Sequence, residues 1–137
     1  MDFKTTDEQD MIREMVRDFA ETVLAPTVEH RDQTQTPPSE EWQQFLELGL
    51  QGVTIPEKYG GMPVDDISES IIVEELARVD PSFSVMYCVH VGLCAKTIAL
   101  HGDDYQKETY LSRLAEGEVG AYSCLLYTSD AADDSYR

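Results

Sequence analysis

Apolar residues return every three or four positions along most of this chain, the period of amphipathic helices rather than of strands. Met11, Ile12, Met15, Val16, Phe19, Val23 and Leu24 keep that step, with Arg13, Glu14, Arg17, Asp18 and Glu21 on the opposite side. They predict a first helix opening at Thr5 or Thr6, where Thr5 with Glu8, or Thr6 with Gln9, has capping-box spacing. Pro26 should end or kink it, because proline lacks an N–H and clashes with the preceding turn. Residues 33–38 read as a polar, proline-bearing loop. Ser39 is a candidate N-cap for a short second helix carrying Trp42, Phe45, Leu46 and Leu48, closed by Gly49.

Residues 53–61 are predicted to be an extended loop running into a turn. Pro56 biases Ile55 away from helix, and Gly60 with Gly61 permits positive φ. A third helix is expected from about residue 66 to 79, with Ile67, Ile71, Leu76 and Ala77 inward. Asp80-Pro81-Ser82 breaks it and starts a fourth. That fourth helix, reaching Leu100, is apolar nearly all round and is expected to be the central rod of a bundle. Gly102 stops it. A fifth, from about 103 to 115, carries Tyr105, Tyr110, Leu111 and Leu114. After a turn at 116–118, residues 119–123 read as the start of a β-strand. The predicted fold class is therefore all-α: a helical bundle with one extended loop and the start of a β-strand.

The chain has 137 residues, which suits one domain. Its hydrophobic share of 42% is enough for a packed core and argues against a disordered acidic chain. Acidic residues number 27 against ten basic ones, a net charge of −17. Nucleic-acid binding needs Lys and Arg to neutralise phosphates, so that balance opposes it, and it equally opposes docking on an anionic membrane. The apolar stretch from Phe83 to Leu100 contains Ser84, His90, Lys96 and Thr97 and reads better as a core helix than as a membrane span. The N-terminus is acidic and lacks an apolar core, so no secretory signal is expected, and there is no CxxC. Cys88 and Cys94 read as small buried hydrophobes, and a reducing, cytoplasmic location is expected.

Candidate chemistry is sparse. Asp65-Asp66 and Asp103-Asp104 fit helix-start charges better than metal ligands, so no metal site is assigned. His90 reads as a buried, hydrogen-bonded histidine rather than a catalyst. The glutamates fall on helix faces or turns, and no catalytic residue is assigned.

Several segments in order carry a resemblance: Arg17-Asp18-Phe19-Ala20 with Leu24-Ala25-Pro26; Leu46-Glu47-Leu48-Gly49-Leu50; Ile55-Pro56-Glu57-Lys58-Tyr59-Gly60-Gly61; Glu74 through Ser82; Gly102 with Gln106-Lys107 and Tyr110-Leu111; and Ala115-Glu116-Gly117-Glu118. Up to Ser123 the chain resembles the N-terminal helical domain of the acyl-CoA dehydrogenase family. The resemblance implies a parent flavoenzyme that removes two hydrogens from the α and β carbons of an acyl-CoA thioester, using FAD. It implies acyl-CoA as substrate, an electron acceptor such as electron-transfer flavoprotein as partner, and a homo-oligomer. In the family the base lies in a C-terminal part, which this chain does not match, so the chain alone is expected to be inactive. Val85, Val89, Gly92 and Leu93 align with positions lining the acyl cavity, although ordinary core packing would also explain them. Ala121-Tyr122-Ser123 matches the first positions of the flavin-binding run, so Tyr122 and Ser123 are the cofactor-binding candidates. A related acyl-CoA oxidase or flavin monooxygenase, or a free-standing helical interaction module, are the alternative readings.

Where the family continues with a Thr-Glu-Pro-like turn, this chain has Cys124-Leu125-Leu126. Residues 124–134 also resemble the peptide encoded by one frame of a transposase mosaic-end adapter used in shotgun sequencing. Residues 1–123 are thus expected to be the helical domain and residues 124–137 a non-native tail. A natural divergent tail is the competing explanation.

Overall fold

The computed structural model describes residues 4–123, and the expectation of a non-native tail at 124–137 lies outside them. The described residues are helical, with no strand among them. Helix α1 (Asp7–Phe19) is followed without a break by a wider π turn (Ala20–Leu24), then α2 (Val28–Thr34) and α3 (Ser39–Leu46). After two 3-10 turns (Leu50–Gly52 and Glu57–Tyr59) come α4 (Asp66–Val79) and α5 (Pro81–Cys88). A π-helical stretch (Val89–Ala95) joins α5 to α6 (Lys96–His101), making one helix of 21 residues. The chain closes with α7 (Asp104–Gln106), a π turn (Lys107–Leu111) and α8 (Ser112–Ala115).

Helix ends follow the local chemistry. The Thr6 hydroxyl accepts from the Gln9 amide at 3.2 Å while the Gln9 side chain accepts from the Thr6 amide at 3.0 Å, so the second of the two proposed capping boxes forms. Gln9 also donates to Asp65 at 3.1 Å, tying the start of α1 to the cap of α4. Asp65 accepts from the Ile67 and Ser68 amides, and Asp103 from the Gln106 amide. These carboxylates therefore work as N-caps. Ser39 does not: it is the first helical residue, and Pro38 holds the cap position.

Helix α2 was invisible to the apolar pattern because its seven residues offer only Val28; its buried member is Arg31. In α4 the inward face is Ser68, Ile71, Ile72, Glu75 and Leu76, whereas Ile67 is 59% exposed and Ala77 also faces solvent. The loop at 53–61 is a series of tight turns instead of an extended run. There Gly60 adopts φ 85°, but Gly61 is needed for another reason: a Cβ on it would sit on the Ile55 carbonyl.

The core forms around an aromatic cluster. Phe45 packs edge-on against Phe19 (5.2 Å between centroids), Phe83 (5.5 Å) and Tyr87 (5.3 Å), bringing α1, α3 and α5 together. A second cluster of Ile55, Tyr59, Ala95, Leu111, Leu114 and Ala115 seats the C-terminal helices.

Two buried ionic groups brace this frame. Glu75 is enclosed by Arg13 (3.0 Å), Arg17 (2.8 Å) and Arg78 (3.3 Å). Hydrogen bonds from Arg17, helped by Arg13 and by the charge of Arg78, outweigh burial and lower the Glu75 carboxyl to about 2. Arg31 bridges Asp80 (2.5 Å) and Glu41 (3.1 Å), all three buried. Burial pushes the Asp80 carboxyl up, but Arg31 and the Phe83 amide together hold it below its ordinary value.

Candidate functional site

The 21-residue helix is built from two unlike faces. Phe83, Tyr87, His90, Val91 and Ala95 are fully buried. On the other side Val85 is 63% and Leu93 47% exposed, with Val89 and Gly92 half-buried. The expected central rod is thus central on one side only. Length and apolar composition would let this helix cross a membrane, and a third of its most apolar window is buried inside the domain.

Val85, Val89, Gly92 and Leu93 lie at i, i+4, i+7 and i+8, and together they make an open apolar stripe. The middle of the stripe carries no side chain at Gly92. The nearest atom to a Cβ built on Gly92 would be Glu69 Oε1, 3.8 Å away on α4. Beyond the stripe, Lys96 pairs with Glu69 at 3.3 Å and Asp66 at 3.6 Å. Those carboxylates raise the Lys96 pKa and keep its charge at the edge of the stripe.

The π-helical stretch runs through this stripe. The Lys96 amide reaches back five residues to the Val91 carbonyl, and the same carbonyl accepts from the Thr54 hydroxyl at 2.7 Å. Thr54 therefore props the widened turn from outside the helix. Hydropathy carries no mark of such a turn; Gly92 within an apolar run was the nearest signal.

Tyr122 and Ser123, the cofactor candidates, are exposed at the end of the described chain, Tyr122 by 48%. The segment before them is firmly seated. The Gly117 carbonyl accepts from Trp42 Nε1 at 3.0 Å, and the Gly120 amide donates to His90 Nδ1 at 3.0 Å. The Ala121 backbone faces the Cys94 thiol and partly offsets the rise that burial imposes on its pKa. A Cβ on Gly120 would lie 2.6 Å from Cys94 Sγ, so only glycine allows this approach. His90 and Cys94 directly follow Val89 and Leu93, so one stretch of helix carries part of the apolar stripe and the seat of the segment leading to Tyr122. Residues 119–123 do not form the strand start expected of them.

His90 is fully buried, and its Nε2 lies 3.1 Å from the Gln51 carbonyl. A carbonyl only accepts, so Nε2 carries the proton; Nδ1 is then free to accept from Gly120. Burial lowers its pKa, only partly opposed by the Gln51 carbonyl, so the ring is neutral. This is the buried, hydrogen-bonded histidine expected of the sequence. Cys88 and Cys94 are half-buried free thiols whose pKa burial raises. Among the described residues no His, Cys, Asp and Glu cluster could hold a metal.

Residues 6–118 match the family described as "Acyl-CoA dehydrogenase, N-terminal domain". The "Probable acyl-CoA dehydrogenase YngJ" of Bacillus subtilis (strain 168) is 43% identical over 117 residues, covering 85% of this chain and 31% of the relative. The "Acyl-CoA dehydrogenase, short-chain specific" of Clostridium acetobutylicum is 40% identical over 136 residues, covering 98% of this chain and 35% of the relative. Among solved structures, butyryl-CoA dehydrogenase from Megasphaera elsdenii superposes with a TM-score of 0.77 at 39% identity, covering 85% of this chain and 31% of that one. An acyl-CoA dehydrogenase complexed with FAD from Bacillus anthracis gives 0.76 at 33% identity, covering 83% and 20%. The chain belongs to the acyl-CoA dehydrogenase family and matches its N-terminal domain. It spans about a third of the length of the first curated relatives it matches.

Proposed function

We propose that this chain is the N-terminal part of an FAD-dependent acyl-CoA dehydrogenase and supplies one wall of the acyl pocket. The observation that carries the reading is the open stripe of Val85, Val89, Gly92 and Leu93 on a helix whose other face is fully packed. An apolar wall with only a glycine at its middle suits a hydrocarbon chain, which asks for shape and dryness rather than hydrogen bonds. The two valines and Leu93 exclude water; none of them can move a proton.

Tyr122 and Ser123 are the proposed flavin edge. Their fit is limited to an edge: an exposed phenol and an exposed hydroxyl can border a planar ring system but cannot enclose one. FAD bound in the parent would supply a hydride acceptor for the acyl β carbon, with Tyr122 and Ser123 bordering it. This chain's own part is to exclude water along the stripe and to seat residues 117–121. No residue is assigned as the base, because Glu75 and Glu41 are tied up in buried ion pairs and Glu69 is held by Lys96.

The parent is further proposed to take acyl-CoA as substrate, to pass electrons to an acceptor such as electron-transfer flavoprotein, to be a homo-oligomer, and to work in a reducing, cytoplasmic location without nucleic acid or membrane. Residues 124–137 are proposed to be non-native, although the Clostridium relative's 98% coverage runs into them. Sequencing the source locus tests both points. A frame that continues after Ser123 with a Thr-Glu-Pro-like turn is expected; a frame that encodes 124–137 and then stops overturns the reading. The 137-residue chain, given acyl-CoA, FAD and a dye acceptor, is expected to show no turnover, and measurable turnover would contradict the assignment of the base elsewhere.

A further inference from the structure

We infer that His90, in its neutral form, is a positioning residue: it pins the segment carrying Tyr122 and Ser123 to the helix that carries the acyl stripe. The role given to that segment rests on the proposed flavin edge; the pin itself does not.

Three chain segments meet at this one ring. Nε2 donates to the Gln51 carbonyl in the first 3-10 turn, Nδ1 accepts from Gly120 near the chain's end, and Trp42 of α3 packs edge-on at 5.2 Å. Among the described residues the segment's other backbone ties lie upstream, at Gly117 and Glu118. The Gly117 carbonyl is held by Trp42, and the Ala121 backbone faces the Cys94 thiol, a weak partner. The His90–Gly120 bond is therefore the strong directional contact that fixes how residues 121–123 leave the helix.

Only one protonation state can do this. A protonated imidazole has two donors and no acceptor, so the buried Gly120 amide would face an N–H and lose its bond. No neighbouring charge would stabilise the cation. What faces the ring is the Trp42 indole from α3, the Gln51 carbonyl from the turn and the Gly120 amide from the segment; the titratable neighbours on its own helix are Tyr87, Cys88 and Cys94, whose pKa values burial raises, leaving all three uncharged. The sign follows. A histidine held neutral by burial keeps its contribution above its ordinary value of 6.5 and loses it as pH falls through its lower folded value. Acid thus unseats residues 120–123 while the aromatic core, which has no group titrating there, stays closed.

The test uses the 137-residue chain labelled with nitrogen-15. The imidazole nitrogen shifts at pH 7.5 are expected to show Nε2 protonated and Nδ1 bare. The Gly120 amide is expected to be protected from hydrogen exchange at that pH and to lose protection on acidification below 6.5, although base-catalysed exchange itself slows in that direction. Ile72 in α4, buried in the aromatic core, should stay protected. His90→Asn keeps an acceptor near the Nδ1 position and should hold Gly120 protected with no pH dependence. His90→Gln keeps a donor near Nε2 but no acceptor for Gly120, and should let that amide exchange about tenfold faster at every pH. An Nδ1-protonated ring, Gly120 protection unchanged on acidification, or Gly120 and Ile72 lost together would overturn the pin; the first two are read on the unaltered chain, so a variant that fails to fold does not spare the inference. None of these readouts involves flavin, so failure of the flavin-edge reading is seen separately, at the source locus.

Discussion

The two faces of the helix from Pro81 to His101 are made of similar residues and meet opposite fates. Phe83, Tyr87, Val91 and Ala95 are fully buried, while Val85, Leu93 and Leu100 stand 63%, 47% and 66% exposed. Hydrophobicity drives burial but does not say what does the burying. On the inner face the cover comes from α1, α3 and α4 of the same domain. On the outer face the described residues cover Val89 and Gly92 only in part and leave Val85, Leu93 and Leu100 largely in the open.

The contrast is sharpest for large-to-small changes. Phe83→Ala should cost about 3–5 kcal/mol in urea unfolding, and Val85→Ala less than about 0.5 kcal/mol. Similar losses from both would erase the distinction between the faces. Asp80→Ala leaves Arg31 buried with Glu41 as its remaining carboxylate and should cost about 3–5 kcal/mol by the same measurement. The inner frame is also acid-labile. Glu75 titrates at about 2 when folded against an ordinary 4.5, so its contribution is complete above 4.5 and fades as pH falls toward 2. Glu75→Gln should flatten the stability profile across that window and lower stability at pH 7. Thr6→Ala removes one half of a capping box and should cost about 1 kcal/mol. The smallest effect on stability belongs to the outer face. Leu93→Lys should change unfolding by less than about 0.5 kcal/mol while reducing hydrophobic-dye binding and self-association by light scattering.

Much of the architecture was legible because periodicity, caps and breakers are local. The bounds of α4, the break at Asp80-Pro81 and the Thr6 capping box all arise from neighbours within four residues. Helix α2 was not legible, since a polar helix held by one buried arginine has no apolar stripe. Ile67 and Ala77 were misplaced for a related reason: α4 turns Glu75 inward, and a pattern that treats glutamate as solvent-facing rotates the face to exclude it. For the site, the stripe residues were named from family resemblance, and His90 was expected as a hydrogen-bonded core residue. Its partners Gln51 and Gly120 lie 39 and 30 positions away and carry no sequence signal.

What the sequence by itself determined is the helical alphabet of this domain, because it is written in spacing and residue type along the chain. Which carboxylates are buried, which side of the long helix stays open, and which nitrogen of His90 holds a proton were decided only by tertiary structure. Those properties depend on atoms brought within about 3 Å from distant parts of the chain, and at that range dielectric, hydrogen-bond geometry and exclusion of water outweigh any intrinsic preference of a residue.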